Sequence, residues 1–323
     1  MESIIKVSNL YKDYVFSDSS RALLKRIFDD RKIRIEAIKN VNFEIKRGET
    51  VGILGLNGAG KSTLIKILTG IILPTSGKIN VLGFNPSEDR YNYSYNIGVV
   101  MGQKSLLWNN IAVIESLKLY KNIYDIKDEA FYERLNLFDE VFKINDLIKK
   151  PVRKLSLGER MKCEIVASLI HNPKILFLDE PTIGLDLIAK RQIHKMLVKM
   201  NKMLNCTIIL TTHNLNDVEI ICDRIILLNK GIKIFDDKKE KLMLSDDKRI
   251  INVTLEKMDE SNLLEELGYK KISHNKYSIE INKNNLSFNL EKISKFKAIS
   301  DINIESKNLE DLIYEIYEEK DYA

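Results

Sequence analysis

The sequence predicts an α/β fold in which buried strands alternate with helices, with an antiparallel β edge, an inserted helical subdomain and a small C-terminal α+β domain. Three observations carry that prediction. Residues 52–70 read strand, glycine-rich turn, helix; two further apolar runs, 174–180 and 206–212, stop at polar residues; and from about 111 to 147 the apolar spacing becomes that of helices. The pattern divides the chain into a first domain, residues 1–236, with the helical subdomain at about 104–172, and a second domain, 237–323.

Composition bounds the function classes. At 323 residues and 44% hydrophobic content, the chain can bury one large core and a smaller one. Its 51 basic and 46 acidic residues leave a net charge of +5 with both signs interspersed, so no one-signed field is implied and no nucleic-acid partner is expected. Cys163, Cys206 and Cys222 have neither metal-ligand nor disulfide spacing; they read as buried small apolar residues, and their odd number suits a reducing cytosol. Residues 1–6 lack the basic start and apolar core of a signal peptide, and no uninterrupted apolar run approaches the ~18–20 residues that cross a bilayer. A membrane role is therefore expected to come through a partner.

In chain order, residues 4–14 alternate loosely and end at Tyr14. A second strand, about 41–45, leads through Lys46-Arg47-Gly48-Glu49 into a third, and together they read as an antiparallel edge flanking a sheet. Between them, residues 18–30 place Leu23, Leu24, Ile27 and Phe28 on one side of a helix beside Arg21, Lys25 and Arg26. This segment reads either as a surface helix covering the sheet or as an interfacial helix touching anionic lipid or a membrane partner.

Gly55-Leu56-Asn57-Gly58-Ala59-Gly60-Lys61-Ser62 then fits the P-loop pattern G-x-x-x-x-G-K-[ST]. The glycines let successive N–H groups turn inward as an anion nest, and the helix beginning near Lys61 points its positive dipole end at the same place. An ordinary glycine turn is the bland reading. Against it stand the buried strand Val51-Gly52-Ile53-Leu54 before the loop and the apolar face Leu64, Ile65, Ile67 and Leu68 after it. Lys61 is placed for β- and γ-phosphates, and the Ser62 hydroxyl for a Mg²⁺ ion bridging phosphate oxygens.

Pro74-Thr75-Ser76-Gly77 is a turn, 78–82 a strand, and 97–101 a buried strand entering Gly102-Gln103-Lys104. Leu117, Tyr120, Lys121 and Tyr124, then Phe131, Leu135, Phe138 and Phe142, mark helix faces of the inserted subdomain. The next helix runs from about 155 to 170 with Ile165, Val166 and Leu169 inward. Ser156 and Glu159 form a capping box at its start, where Gly158 lies in the first turn and free N–H groups can also face an anion.

The strand at 174–180 ends in Asp179 and Glu180, adjacent carboxylates that are costly to bury without a cation. One can hold the hydrated Mg²⁺ sphere while the other polarises an attacking water, the pairing that ATP hydrolysis needs. Residues 181–186 make a turn, 187–204 a helix, and 206–212 a strand that delivers His213. Alone, that histidine reads as a hydrogen-bonded strand-end residue; its place after the P-loop and the paired acids gives it a functional reading.

These residues resemble the ATP-binding subunit of an ATP-binding cassette (ABC) transporter over about residues 4–240. P-loop, glutamine loop, signature helix, acidic strand, Asp-containing turn and switch histidine follow in order, which implies a P-loop NTPase of the ABC ATPase type. Residues 100–104, 155–162 and 179–186 resemble the subgroup that serves ABC-2-type permeases, mostly exporters. The resemblance implies that Tyr14 stacks on adenine, the bland reading of this aromatic being core packing. It implies that Asn57, Gly58, Ala59, Gly60, Lys61, Ser62 and Thr63 hold the phosphates of ATP, and that Ser62, Gln103 and Asp179 hold Mg²⁺. Gln103 also faces the permease, Glu180 is the general base, and His213 holds γ-phosphate and water in line. Ser156 and Gly158 resemble the signature that contacts ATP on an opposite subunit, with Asp186 at the seam, so a head-to-tail homodimer is implied. Its place is the cytoplasmic side of the membrane, as a peripheral subunit. Where the commonest signature reads Leu-Ser-Gly-Gly-Gln, this chain has Leu157 and Glu159 in the third and fifth positions. A carboxylate there slows closure unless Arg160 or the capping interaction neutralises it.

Beyond about Asp236, the polar stretch Asp236-Asp237-Lys238-Lys239-Glu240 reads as a linker. Strands near 249–255 and 276–281 and helices near 259–267, 286–296 and 308–319 follow. This domain resembles the C-terminal extension of ABC-2-type ATPases and is expected to serve dimer contact or regulation, or to be a passive cap. Two rival readings are a soluble ABC ATPase acting on nucleic acid or ribosomes, which calls for a long coiled-coil insertion or tandem cassettes, and a P-loop kinase, which leaves the signature helix and His213 unexplained.

Overall fold

Two long strands, β1 (Ser3–Ser17) and β2 (Lys32–Lys46), pair antiparallel at the N-terminal end, and β1 pairs on its other side with β4 (Ser76–Val81); β3 (Thr50–Leu54) intervenes in sequence but belongs to another sheet. The computed structural model describes residues 2–17, 32–102, 104–244, 248–256 and 261–321. The chain divides into two compact units, residues 1–237 and 238–323. In the first, Ile5, Val7, Leu10, Ile38, Val41, Phe43 and Ile45 turn one face of the antiparallel sheet into the core. Beyond Lys12 the pair continues as a two-stranded ribbon whose Val15, Phe16, Ile33 and Ile35 are exposed. The strand expected to end at Tyr14 therefore reaches Ser17, and its partner begins at Lys32 rather than 41. Local pairs hold the ribbon: Arg34 with Asp13, and the rings of Tyr14 and Phe16 stacked with centroids 6.2 Å apart. The helix read at 18–30 lies outside the described residues.

The main sheet adds β5 (Ile97–Met101), β6 (Ile175–Asp179), β7 (Thr207–Thr212), β8 (Arg224–Asn229) and β9 (Ile232–Lys238), in the order β5-β6-β7-β3-β8-β9. From β5 to β8 the neighbours are parallel. Nearly every residue of β3, β6, β7 and β8 is buried, as strands covered on both faces require, and this explains their unbroken aliphatic runs. Helices Lys61–Leu68, Leu187–Leu204 and Leu215–Ile221 connect or flank these strands, and the helices Val113–Ile123, Asp128–Phe142, Asn145–Ile148 and Leu157–Leu169 form the expected insertion between β5 and β6. Cys163, Cys206 and Cys222 are all buried and free.

The stretch expected as a linker at 236–240 is ordered structure instead. β9 runs to Lys238 and a helix, Lys239–Leu244, follows at once. Asp236 accounts for this: it accepts from Arg224 of β8 and from Lys233, at 2.8 and 2.7 Å, so its charge is paired within the hairpin rather than left in solvent. Lys230 and Gly231, both at positive φ, make the two-residue turn that sends β9 back along β8.

The second unit holds an antiparallel sheet in which β10 (Lys248–Leu255), β11 (Lys270–Ser273), β12 (Lys276–Asn282) and β13 (Ile299–Glu305) lie in the order β11-β12-β10-β13. Ile251, Val253, Leu255 and Tyr277 meet Leu264 and Ile293 of the helices Ser261–Glu266 and Leu286–Ile293 in a separate core. A further helix, Leu309–Asp321, follows β13. Strands β11 and β13 escape sequence reading because nearly all their residues are exposed, leaving no buried alternation to mark them.

Phe177, wholly buried in β6 between β5 and β7, sets a measurable scale for the main core. Phe177→Ala is expected to cost about 3–5 kcal/mol in urea unfolding. Leu73→Ala, at a side chain 65% exposed, is expected to change it by less than about 0.5 kcal/mol.

Candidate active site

Parallel strands open their carboxyl ends on one edge of a sheet, and here that edge gathers the chemistry. Leu54 lies level with Thr212, Asp179 with Thr211 and Met101 with Asp179. The loop after β3, the acids ending β6, the histidine after β7 and the loop after β5 therefore meet.

The 55–60 loop is fixed by its neighbours. Gly231 N–H donates to the Ala59 carbonyl at 3.1 Å, and Lys39 N–H donates to the Gly231 carbonyl at 2.8 Å, so the β8–β9 turn bridges the loop to β2. Gly60 has φ +103°, and a Cβ there would stand 2.5 Å from the Ala37 carbonyl oxygen; only glycine fits. Gly60 is also the cap of the helix Lys61–Leu68 and supplies no side-chain acceptor to its first turn. Asn57 and Gly58 are exposed and Thr63 is half-buried, whereas Ala59 is buried with its N–H donating to the Leu56 carbonyl at 3.1 Å. The Lys61 ammonium bonds to the Gly55 and Leu56 carbonyls at 2.6 and 3.2 Å. Burial lowers its pKa, opposed by the charges of Glu180 and Asp179. A buried cation at the start of a helix that has no side-chain cap fits a phosphate chain.

Asp179 is held by two hydroxyls: Ser62 donates to its Oδ1 at 3.2 Å and Thr211 to the same oxygen at 2.5 Å. Ser62 and Asp179 are hard oxygen donors in contact, and the described residues contain no cluster of three or more His, Cys, Asp or Glu side chains that would close a protein-only cage. The arrangement fits Mg²⁺, which takes one or two protein oxygens and completes its shell with phosphate and water. Glu180 has φ +55°, a left-handed backbone rare for such a residue. Its N–H donates to the Thr211 carbonyl at 3.0 Å, and its Oε2 lies 2.7 Å from His213 Nδ1. Ser62, Asp179 and Glu180 line a cavity of about 220 Å³ with Gly102 and Lys104. Gln103, between those last two, lies outside the described residues.

Tyr14 is half-buried, with the Lys12 ammonium 5.1 Å from its ring centre. It pairs with Ile35, two residues from the Ala37 carbonyl that abuts Gly60, so the ribbon brings it beside the loop. Ser156, Gly158 and Asp186 do not line the cavity. Ser156 and Glu159 close the expected capping box, with Glu159 N–H donating to Ser156 Oγ at 3.2 Å and Ser156 N–H to Glu159 Oε2 at 2.8 Å. That second bond is the leading reason the Glu159 carboxyl is held below its ordinary range. Arg160 turns instead to Glu164 at 3.4 Å, and Glu159 is stabilised by its bonds with Ser156 and by the charges of Lys150 and Lys162. A Cβ on Gly158 would lie 2.6 Å from that of Ala189, and Asp186 caps the helix Leu187–Leu204 through the Ala189 N–H at 2.8 Å. The signature start and the Asp186 turn thus form one patch.

Sequence reading missed the groups behind the acids. Thr211 carries no motif, yet it holds Asp179. Asp217 is wholly buried and accepts from Thr212, five residues before it, and from the more distant Thr182 and His194, with no spacing to reveal the set.

Comparison with known proteins agrees with this geometry. Residues 38–183 match the family described as "ABC transporter". The chain is 31% identical over 227 residues to the ABC transporter ATP-binding protein NatA of Bacillus subtilis (strain 168), covering 70% of this chain and 92% of that one. It is 36% identical over 197 residues to the probable multidrug ABC transporter ATP-binding protein YbhF of Escherichia coli (strain K12), covering 60% of this chain and 33% of YbhF, so it spans about a third of that relative. Among solved structures, the dimeric post-hydrolysis state of the ATP-binding cassette MJ0796 bound to ADP and Pi is similar with TM-score 0.60 and 26% identity, over 72% of this chain and 98% of that one. Among the described residues no helix is long and apolar enough to cross a membrane.

Gly60→Ala tests the loop. Strain and the clash with Ala37 are expected to cost about 1–3 kcal/mol of stability. ATP binding, followed by calorimetry, is expected to weaken by at least about tenfold as the N–H groups lose their aim.

Proposed function

The chain belongs to the family of ABC transporter ATP-binding proteins, and from that premise we propose that two copies clasp two ATP molecules head to tail and drive a separate ABC-2-type membrane permease in the direction of export. ATP binding and hydrolysis belong to the family. The observation that carries the mechanistic reading is the contact of Glu180 and His213 at 2.7 Å, one residue from an Asp179 already tied to Ser62.

In this reading Tyr14 stacks on adenine, and the backbone of residues 57–63 with Lys61 holds the phosphates. Ser62 and Asp179, with Gln103, would hold Mg²⁺, which when bound supplies positive charge against the phosphoryl oxygens. Glu180 takes the proton of the attacking water, and His213 orients that water and the γ-phosphate. The β8–β9 turn keeps the phosphate loop from relaxing as charge develops, which is the preorganisation that phosphoryl transfer depends on.

A single cassette holds only half of what closure needs. Ser156 and Gly158 lie outside their own cavity, so they are assigned to the nucleotide of a second copy, with Asp186 at the seam; the dimeric MJ0796 cassette supports this arrangement. Gln103, whose neighbours Gly102 and Lys104 line the cavity, is assigned to pass closure to the permease, and the chain to sit peripherally on the cytoplasmic face. The lean to export rests on the resemblance of residues 100–104, 155–162 and 179–186 to the subgroup serving ABC-2-type permeases. The second unit, 238–323, is assigned to dimer contact or regulation.

Glu180→Gln is expected to keep ATP binding, nearly abolish hydrolysis and accumulate an ATP-bound dimer in size-exclusion chromatography. Full turnover by that variant refutes the base assignment. Ser156→Arg is expected to leave nucleotide affinity of the monomer intact while preventing ATP-dependent dimerisation. Purification from detergent-solubilised membranes is expected to bring down a multi-spanning protein, whereas co-sedimentation with ribosomes or DNA would favour the soluble rival.

A further inference from the structure

Among the described residues, the most completely buried charged group of the first unit lies behind the proposed hydrolytic pair. Asp217, on the helix Leu215–Ile221, is 0% exposed. Its Oδ2 accepts from Thr182 Oγ1 at 2.5 Å and Thr212 Oγ1 at 3.0 Å, and its Oδ1 accepts from His194 Nε2 at 2.7 Å. Thr182, Thr212 and His194 are themselves buried. Burial pushes the Asp217 carboxyl up, but the bonds from His194, Thr182 and Thr212 together hold it below its ordinary range.

The donors come from three separate segments. Thr182 lies two residues after Glu180, Thr212 immediately before His213, and His194 in the middle of the helix Leu187–Leu204. Because Oδ1 can only accept, His194 donates through Nε2, and its buried Nδ1 has no partner. An apolar cluster would fill this space without desolvating a carboxylate and orphaning a ring nitrogen. What the ionic knot adds is direction: a single carboxylate oxygen sets the separation of two hydroxyls whose neighbours are Glu180 and His213.

Glu180 needs such a hold. Its left-handed backbone is strained for a residue with a side chain and persists only where surrounding bonds over-determine it. The N–H of Glu180 is fixed on the Thr211 carbonyl from one side, and Asp217 fixes Thr182 from the other.

We propose that Asp217 is a positioning residue for hydrolysis, clamping the turn after Glu180 to the strand end before His213 so that the two side chains keep the contact that orients water. His194 anchors the clamp to the helix Leu187–Leu204, the same helix that Asp186 caps, so the clamp is built into the element that begins at the proposed dimer seam. The proposal rests on the assignment of Glu180 and His213 as the hydrolytic pair.

The test uses the full chain and separates chemistry from binding. Steady-state ATPase kinetics and ADP binding by calorimetry are measured for Asp217→Ala, Thr182→Val, His194→Gln and His194→Leu beside Glu180→Gln. Asp217→Ala is expected to lower kcat by about 10²-fold, as a misplacement of about 1 Å does, with ADP affinity and KM changed by less than about twofold. Thr182→Val, of nearly the same size and shape, is expected to lower kcat by about tenfold and stands in for Asp217→Ala should that variant fail to fold. His194→Gln, which keeps a donor, is expected to turn over faster than His194→Leu. Unchanged kcat in the Asp217 and Thr182 variants with Glu180→Gln inactive overturns the clamp alone, and so does a loss of ADP affinity in step with kcat. Full turnover by Glu180→Gln overturns the pair on which the clamp acts.

Discussion

The structure depends on where Asp179 can find donors. An acid ending a strand buried on both faces must be paired or solvated, and its level neighbours in a parallel sheet are fixed by the register. β7 supplies Thr211 from one side, and the helix after the 55–60 loop supplies Ser62 from above. Those two bonds tie the start of the helix after the phosphate loop, the first of the paired acids and the end of β7 to one another. The remaining site residues hang from this junction: Glu180 is the next residue along, and His213 is two residues after Thr211.

A second level of restraint lies outside the junction. The 55–60 loop has few side chains of its own to hold it, so its shape comes from contacts with distant backbone: Gly231 on Ala59, and the Ala37 carbonyl against Gly60. Both contacts come from elements remote in the chain, the turn leading into edge strand β9 and the edge strand β2, so the loop takes its shape from outside its own sequence. The same β2 carries the pairing partner of Tyr14. One ribbon therefore supports the loop and places the aromatic expected to meet the base.

Much of this was legible in the sequence where a single segment determines itself. The helix at 187–204 has the bounds expected because Asp186 caps its start and Asn205, in the left-handed region, ends it. The capping box at Ser156 and Glu159 is likewise a three-residue affair. The buried strands announce themselves through unbroken aliphatic runs. What escaped depends on partners remote in the chain. β9 reads as polar until Arg224 is seen to pair with Asp236; the ribbon beyond Lys12 has no buried side to give it a period; the helix Leu215–Ile221 is too short for one. The Asp217 knot joins residues 182, 194, 212 and 217, and no local pattern can express that coincidence.

The unusual signature follows the same logic of local against remote partners. Glu159 places a carboxylate at a helix start proposed to face a neighbour's triphosphate, which on charge alone is repulsive. In the free cassette that carboxylate folds back on the Ser156 N–H, and the Ser156 hydroxyl covers the Glu159 N–H, so the helix start is already satisfied. Such a cap contributes about 0.5–2 kcal/mol, whereas a hydrogen bond to a charged group contributes about 1.5–3 kcal/mol. The bond from the Ser156 N–H to the Glu159 carboxylate is itself of the charged kind, so exchanging the cap for a phosphate oxygen comes close to breaking even. A helix start that caps itself when alone and opens to an anion when paired suits a contact that must form and break at every cycle. A tighter signature would gain more on closing and give more of it back on release.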